Sequence, residues 1–237
     1  SHVVEHYLPS RIVVSAAGHV DHDDLVRLVS KYFRRLRNEG RDQVRPAGPV
    51  RSGAGTTVEY TRPINQAHIC LGTLAYSISH PDRYVLMLTN ALLGEGMSSR
   101  LYQTIREQHG LAYTVYSFVN LLSDTGLFGT YLGTDRKNIK DAIGLVYHEL
   151  DKLKRRNVPM TELLRTKSQI KGTMMLGLEN MSGRMIRLGS AELYVEQYVS
   201  LDTILERVDA ITPDDIHRVA NDVFDEKRFS AVIIRPS

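Results

Sequence analysis

GEGMSSRLYQTIREQHGLAY, residues 94–113, reads as a turn, a helix, a hard stop and the start of a strand. Ser98 or Ser99 is placed to N-cap a helix over SRLYQTIREQ, because a serine hydroxyl accepts from the orphan amides of a first turn. Gly110 then supplies the left-handed conformation with which helices close. Beyond it, residues 112–120 and 126–133 alternate around LSDTG, which predicts a β-hairpin. A helix feeding an antiparallel hairpin, rather than a strand–helix–strand crossover, points to an α+β domain.

Working outward, residues 56–62 and 66–75 predict two strands, the second too apolar in its middle to be an exposed edge. A helix is predicted over residues 81–93, with Pro81 in its first turn and Gly94 after its end. Downstream, Asp135 caps a helix to residue 156, Pro159 starts another to residue 179, and a third covers residues 182–198. Thr212, Pro213 and Asp215 form a capping-box-like start for a last helix to residue 223. Residues 229–234 close the chain as a strand. The fold class expected is α+β, a largely antiparallel sheet with helices packed on one face.

Nearer the start, RIVVSAAG (residues 11–18) predicts a buried strand. Asp21, with Asp24 at the capping-box position, starts an amphipathic helix carrying Leu25, Leu28, Val29, Tyr32 and Phe33 at helical spacing. Residues 38–55 shift to Gly, Pro, Arg and Ser and read as a linker. The expected organisation is therefore 1–37 as a remnant of a preceding domain, 38–55 as linker, and 56–237 as the main domain. The chain opens at Ser1 with no initiator methionine and an extended segment begins at once, so its start is expected to be a cut rather than a natural terminus.

The 237 residues are 42% apolar and 24% charged, enough for a sizeable core. A net charge of +3 is too small to argue for nucleic acid, and the basic run over residues 27–51 lacks interleaved aromatics that would stack on bases. The single cysteine, Cys70, excludes a disulfide framework and a thiolate zinc cluster and reads as a buried, inert thiol. No stretch approaches the roughly 20 apolar residues needed to span a bilayer. SHVVEHYLPS has neither the basic nor the apolar region of a signal peptide.

His2, Glu5 and His6 spell H-x-x-E-H, the inverted helical zinc-protease signature. We read it as a decoy. It occupies the first six residues, Pro9 ends any helix three residues later, and no third carboxylate stands on a helix nearby. Glu95, the nearest candidate, lies in a turn. His19, His22, His68, His80, His109, His148 and His217 are scattered, without paired-ligand spacing. The glycines of GEG are not a phosphate cradle, since no Walker lysine follows and the preceding element is a helix. Arg106 offers a rigid fork of donors and Tyr113 a hydroxyl, and Gly110 turns the chain so that both can face one cleft. On these grounds alone, a surface arginine near a helix C-terminus and a half-buried strand tyrosine are the preferred reading.

Four segments carry a family resemblance: HYLPSRIVVSAAGHVDHDDLVRLVSKYF, QAHICLG, SSRLYQTIREQHGLAYTVYSF and KSQIKG. In order and content they resemble the pitrilysin/insulinase family of zinc metallopeptidases, and within it the mitochondrial processing peptidase-like branch. The resemblance covers essentially the whole chain, and Arg106-x6-Tyr113 is its most specific part. It implies a pitrilysin-type half-domain, the C-terminal, non-metal half of an enzyme whose two homologous halves enclose a chamber. In such enzymes the first half holds zinc through H-x-x-E-H and a distant glutamate, and the second contacts the peptide with an arginine and a tyrosine. Arg106 and Tyr113 would then bind substrate, with Tyr113 assisting the transition state. His6, Tyr7 and Pro9 match a late segment of the first half, which removes His2, Glu5 and His6 from the metal site.

By that resemblance zinc belongs to the intact parent, with no cofactor in this fragment, and the chain is not catalytic alone. The alternative is a non-catalytic structural or substrate-binding homologue. The implied partners are the missing N-terminal half and a peptide substrate. A homodimer would cover apolar surface left exposed; neither nucleic acid nor membrane is expected. The location implied is bacterial cytoplasm, with the mitochondrial matrix as the alternative.

Overall fold

The computed structural model describes residues 7–34, 53–195 and 199–237. They fall into two units, Ser1–Pro49 with Gly172–Ser200, and Val50–Lys171 with Leu201–Ser237.

The second unit is built on five strands: β1 Thr57–Arg62, β2 Ala67–Ala75, β3 Ala112–Leu121, β4 Gly126–Thr134 and β5 Ser230–Pro236. Their order is β1-β5-β2-β4-β3. Only the β1–β5 pair is parallel; β2–β4, β2–β5 and β3–β4 are antiparallel. The mostly antiparallel sheet and the predicted hairpin are therefore present, and β2 lies inside the sheet, as its apolar middle requires. Along β2, Ala67, Ile69, Leu71 and Thr73 are buried, whereas His68, Cys70, Gly72 and Leu74 are only half-buried. This period of two puts the helices against one face and leaves the other partly open. Cys70 lies on that open face, half-buried rather than buried, with its thiol pKa pushed up by desolvation.

The helices are α1 His22–Phe33, α2 Arg83–Gly94, α3 Ile139–Arg155, α4 Met160–Glu179, α5 Met181–Val195, α6 Leu201–Ala210 and α7 Pro213–Val223, with a π-helix over Tyr102–Gln108. Two caps form as expected. The Asp21 carboxylate accepts from Asp24 N at 3.0 Å, and Thr212 and Asp215 make a reciprocal capping box at α7. Under the sheet, Phe128, fully buried on β4, packs its ring centroid 4.7 Å from Phe224 and 6.3 Å from Phe229.

Several expectations need correction. Residues 11–18 make no strand: a short 3-10 turn, Pro9–Arg11, leads into extended chain. The described residues of the first unit contain no strand with which RIVVSAAG could pair, and β-propensity amounts to little without such a partner. Asp135 makes no side-chain cap; the 3-10 turn Arg136–Asn138 intervenes before α3. Helix α6 was not anticipated, although Leu201, Ile204, Leu205 and Val208 carry the spacing that marks an apolar helical face. The end of the helix expected over residues 182–198 lies outside the described residues, as do His2, Glu5 and His6 and most of the expected linker.

Gly94 does not follow its helix but ends it, and its role is packing. A Cβ there would sit 2.2 Å from Ser117 N and 2.3 Å from Ser117 Oγ, so glycine is what lets α2 lie directly on β3. Gly94→Val is expected to cost about 1–3 kcal/mol by overpacking. Chemical denaturation checks this, and a variant as stable as the parent would refute the close approach.

Candidate functional site

The predicted pair does come together. Arg106 lies in the π-helix, and its Cζ is 4.9 Å from the Tyr113 ring centroid and 4.8 Å from that of Tyr102. Both distances are within cation–π range. Tyr102 had no place in the expected site, yet its i, i+4 spacing from Arg106 on a predicted helix was a readable signal.

The platform beneath the pair is rigidly anchored. Leu101 and Ile105 are fully buried. Arg100 makes a fork to the Glu162 carboxylate on α4, with its Nε and Nη2 donating at 2.9 and 2.8 Å. Thr104 donates at 3.0 Å to Glu149 on α3, which is itself buried and also held by Lys152 at 2.7 Å. Ser99 does not cap the helix as expected. Its hydroxyl donates to the Gly96 carbonyl at 2.8 Å, fastening the GEG turn instead.

The exit from the helix explains the placing of Tyr113. Gly110 takes φ +60°, as predicted from its position. Leu111 N–H reaches back to the Ile105 carbonyl at 2.9 Å; that six-residue span is one wider than the Schellman closure and matches the wider π-helix. The Thr134 hydroxyl donates to the Leu111 carbonyl. Pairing between β3 and β4 then passes from Ala112–Thr134 to Thr114–Gly133. Tyr113 is therefore the extra residue of a β-bulge, a device that re-aims a side chain. Its ring is 78% exposed, not half-buried as an ordinary strand position would make it.

Chemically, the site is an unspent donor set. Among the described residues the carboxylate paired with Arg106 is that of Glu107, 3.9 Å from Nε, which is too long for a hydrogen bond. The guanidinium fork and the Tyr113 hydroxyl are thus free to donate to carbonyl or carboxylate oxygens of a ligand. Glu95, weighed above as a metal ligand, is otherwise engaged: its carboxylate accepts from Asn90 at 2.5 Å, and burial pushes its pKa up. Gln169 on α4 donates to its backbone carbonyl at 3.1 Å. Among the described residues no group of three or more His, Cys, Asp or Glu could hold a metal ion. This donor set does not fit zinc. Two histidines serve locally, His68 hydrogen-bonded with the Tyr131 hydroxyl at 2.6 Å and His80 stacked 3.8 Å from Tyr76.

The KSQIKG segment also has a physical role. Lys167 is buried, and its ammonium donates to the Asp209 and Ile211 carbonyls at 2.8 and 2.6 Å, while Lys171 pairs with the Asp209 carboxylate at 2.8 Å. Lys167 thereby satisfies carbonyls at the C-terminal end of α6, and Lys171 adds a second positive charge there. Desolvation holds the Lys167 pKa below the usual lysine value.

These features define a class: an α+β half-domain with a half-buried arginine beside an exposed tyrosine and no metal site among the described residues. Solved structures share the fold, including a peptidase M16 inactive domain from Pseudomonas fluorescens (TM-score 0.72, 21% identity, 78% of this chain and 44% of that one). A protease from Helicobacter pylori aligns with TM-score 0.79 at 23% identity, over 93% of this chain and 54% of that one. The peptidase M16 inactive domain family model matches residues 2–170, and the chain belongs to that family. Among curated relatives, an uncharacterized zinc protease of Streptomyces coelicolor is 36% identical over 97% of this chain and 51% of its own length. One from Bacillus subtilis is 33% identical over 98% of this chain and 56% of its own length. The chain therefore spans about half the length of these relatives. No described helix is long and apolar enough to cross a membrane.

Proposed function

We propose that this chain is the substrate-binding half of a zinc-dependent metalloendopeptidase of the processing-peptidase type, with the metal ligands lying outside it. In this reading residues 1–37 are the end of the preceding homologous half. The observation that carries the proposal is the Arg106–Tyr113 pair, its arginine half-buried and its tyrosine exposed on a bulge, backed by a buried polar anchor. Arg106 donates to backbone carbonyls of an extended peptide. Tyr113 donates its hydroxyl where negative charge develops on the scissile carbonyl, a position at which a donor acts on the transition state more than on the ground state. The chain's residues bind and orient; they do not activate water.

The experiment is direct. The isolated chain, supplied with zinc and an unstructured peptide, is expected to bind the peptide weakly and to produce no cleavage by mass spectrometry. Chelator-sensitive cleavage by the chain alone would overturn the placing of the metal site outside it.

A further inference from the structure

We propose that Tyr102 is a positioning residue for peptide binding, holding the Arg106 guanidinium in place without occupying its donors. This rests on the peptide-binding reading of Arg106 and Tyr113. A free arginine side chain gives up rotamer entropy when it is immobilised. A ligand must therefore bear that cost unless the protein has already met it. Carboxylates, the usual holders of an arginine, do so by accepting from the very N–H groups a peptide would need.

Aromatic rings hold the cation differently. The attraction acts through the face of the ring on the planar cation, so the in-plane donors stay available. The Arg106 Cζ lies over both rings, 4.8 Å from the Tyr102 centroid and 4.9 Å from that of Tyr113, and among the described residues Glu107 is the one carboxylate paired with it, at 3.9 Å. The two rings are not equivalent. Tyr113 is 78% exposed on a bulge, whereas Tyr102 is half-buried, directly after the fully buried Leu101 and three residues before the fully buried Ile105. Tyr102 is thus the fixed wall. It stands four residues before Arg106 in a π-helix, a widened turn frequent at functional sites.

The test is a double-mutant cycle in the full-length protein, read as the Kd of a fluorescein-labelled, unstructured, uncharged peptide by anisotropy. Tyr102→Leu is expected to raise Kd about three- to fivefold, the size of an exposed cation–π contact, and Tyr102→Phe, which keeps the ring face, by less than about twofold. In an Arg106→Ala background, Tyr102→Leu is expected to add nothing further. A merely structural tyrosine would weaken binding equally in both backgrounds, and that additivity would overturn the proposal. If Arg106→Ala weakens binding while Tyr102→Leu binds like the parent, Tyr102 alone loses its role. If Arg106→Ala itself binds like the parent, the peptide-binding reading fails, and the positioning role with it. Thermal midpoints verify folding, and Tyr102→Met replaces the leucine variant should that one not fold.

Discussion

Phe128→Ala is expected to lower stability by about 3–5 kcal/mol, the range for deleting a fully buried phenylalanine. The ring is fully buried on β4, at the centre of an aromatic cluster that joins the sheet to the end of α7 through Phe224 and to the start of β5 through Phe229. Phe229 is met in turn by Tyr147 of α3, with centroids 5.8 Å apart and edge-on rings. Removing one ring from the middle of such a cluster leaves a cavity that rings fixed on separate elements cannot close. Phe128→Leu, which keeps much of the volume, should cost under about 1.5 kcal/mol. Guanidinium unfolding curves measure both, and a loss below about 1 kcal/mol for the alanine variant would mean that the site collapses more readily than its neighbours suggest. Because β4 also pairs with the strand that carries Tyr113, any surviving folded population should bind peptide less well.

Tyr113→Phe should act on chemistry and leave stability alone. If the hydroxyl donates to the oxyanion in the full-length protein, kcat should fall about 10²-fold, as for loss of one oxyanion donor. Peptide Kd should stay within about twofold, since the ring that faces Arg106 is retained. The hydroxyl stands on a 78% exposed side chain, so its removal buries nothing unsatisfied and the thermal midpoint should not move. Steady-state kinetics with a quenched fluorescent peptide separates the two effects. An unchanged kcat would remove Tyr113 from the transition state and leave it, at most, a peptide contact.

The turn that Arg106 and Tyr113 flank was legible because a glycine after a helical pattern announces a left-handed conformation, whereas their choice as a site rested on the family resemblance. The hairpin was equally legible, since alternation around LSDTG has period two whatever the rest of the molecule does. By contrast, the strand expected over residues 11–18 failed for a reason that no window of sequence contains: a strand exists only where another offers it a ladder. Gly94 shows the same limit. Its place after an apolar run suits a helix stop, but what requires glycine there is the backbone of Ser117, 23 residues later in the chain.

Local order is what this sequence determined by itself: the hairpin, most of the helices, and the turn that Arg106 and Tyr113 flank. These follow from backbone sterics, periodicity and capping, all of which act within a few residues. The site's working geometry was decided by tertiary structure alone. The bulge that re-aims Tyr113 is a mismatch of register between β3 and β4, and the helix that carries Tyr102 and Arg106 takes the wider π form. Register and helix width are settled by what packs on the far side, here Glu149, Glu162 and the buried face of the sheet, because only burial carries enough free energy to choose between backbone forms that are locally so close.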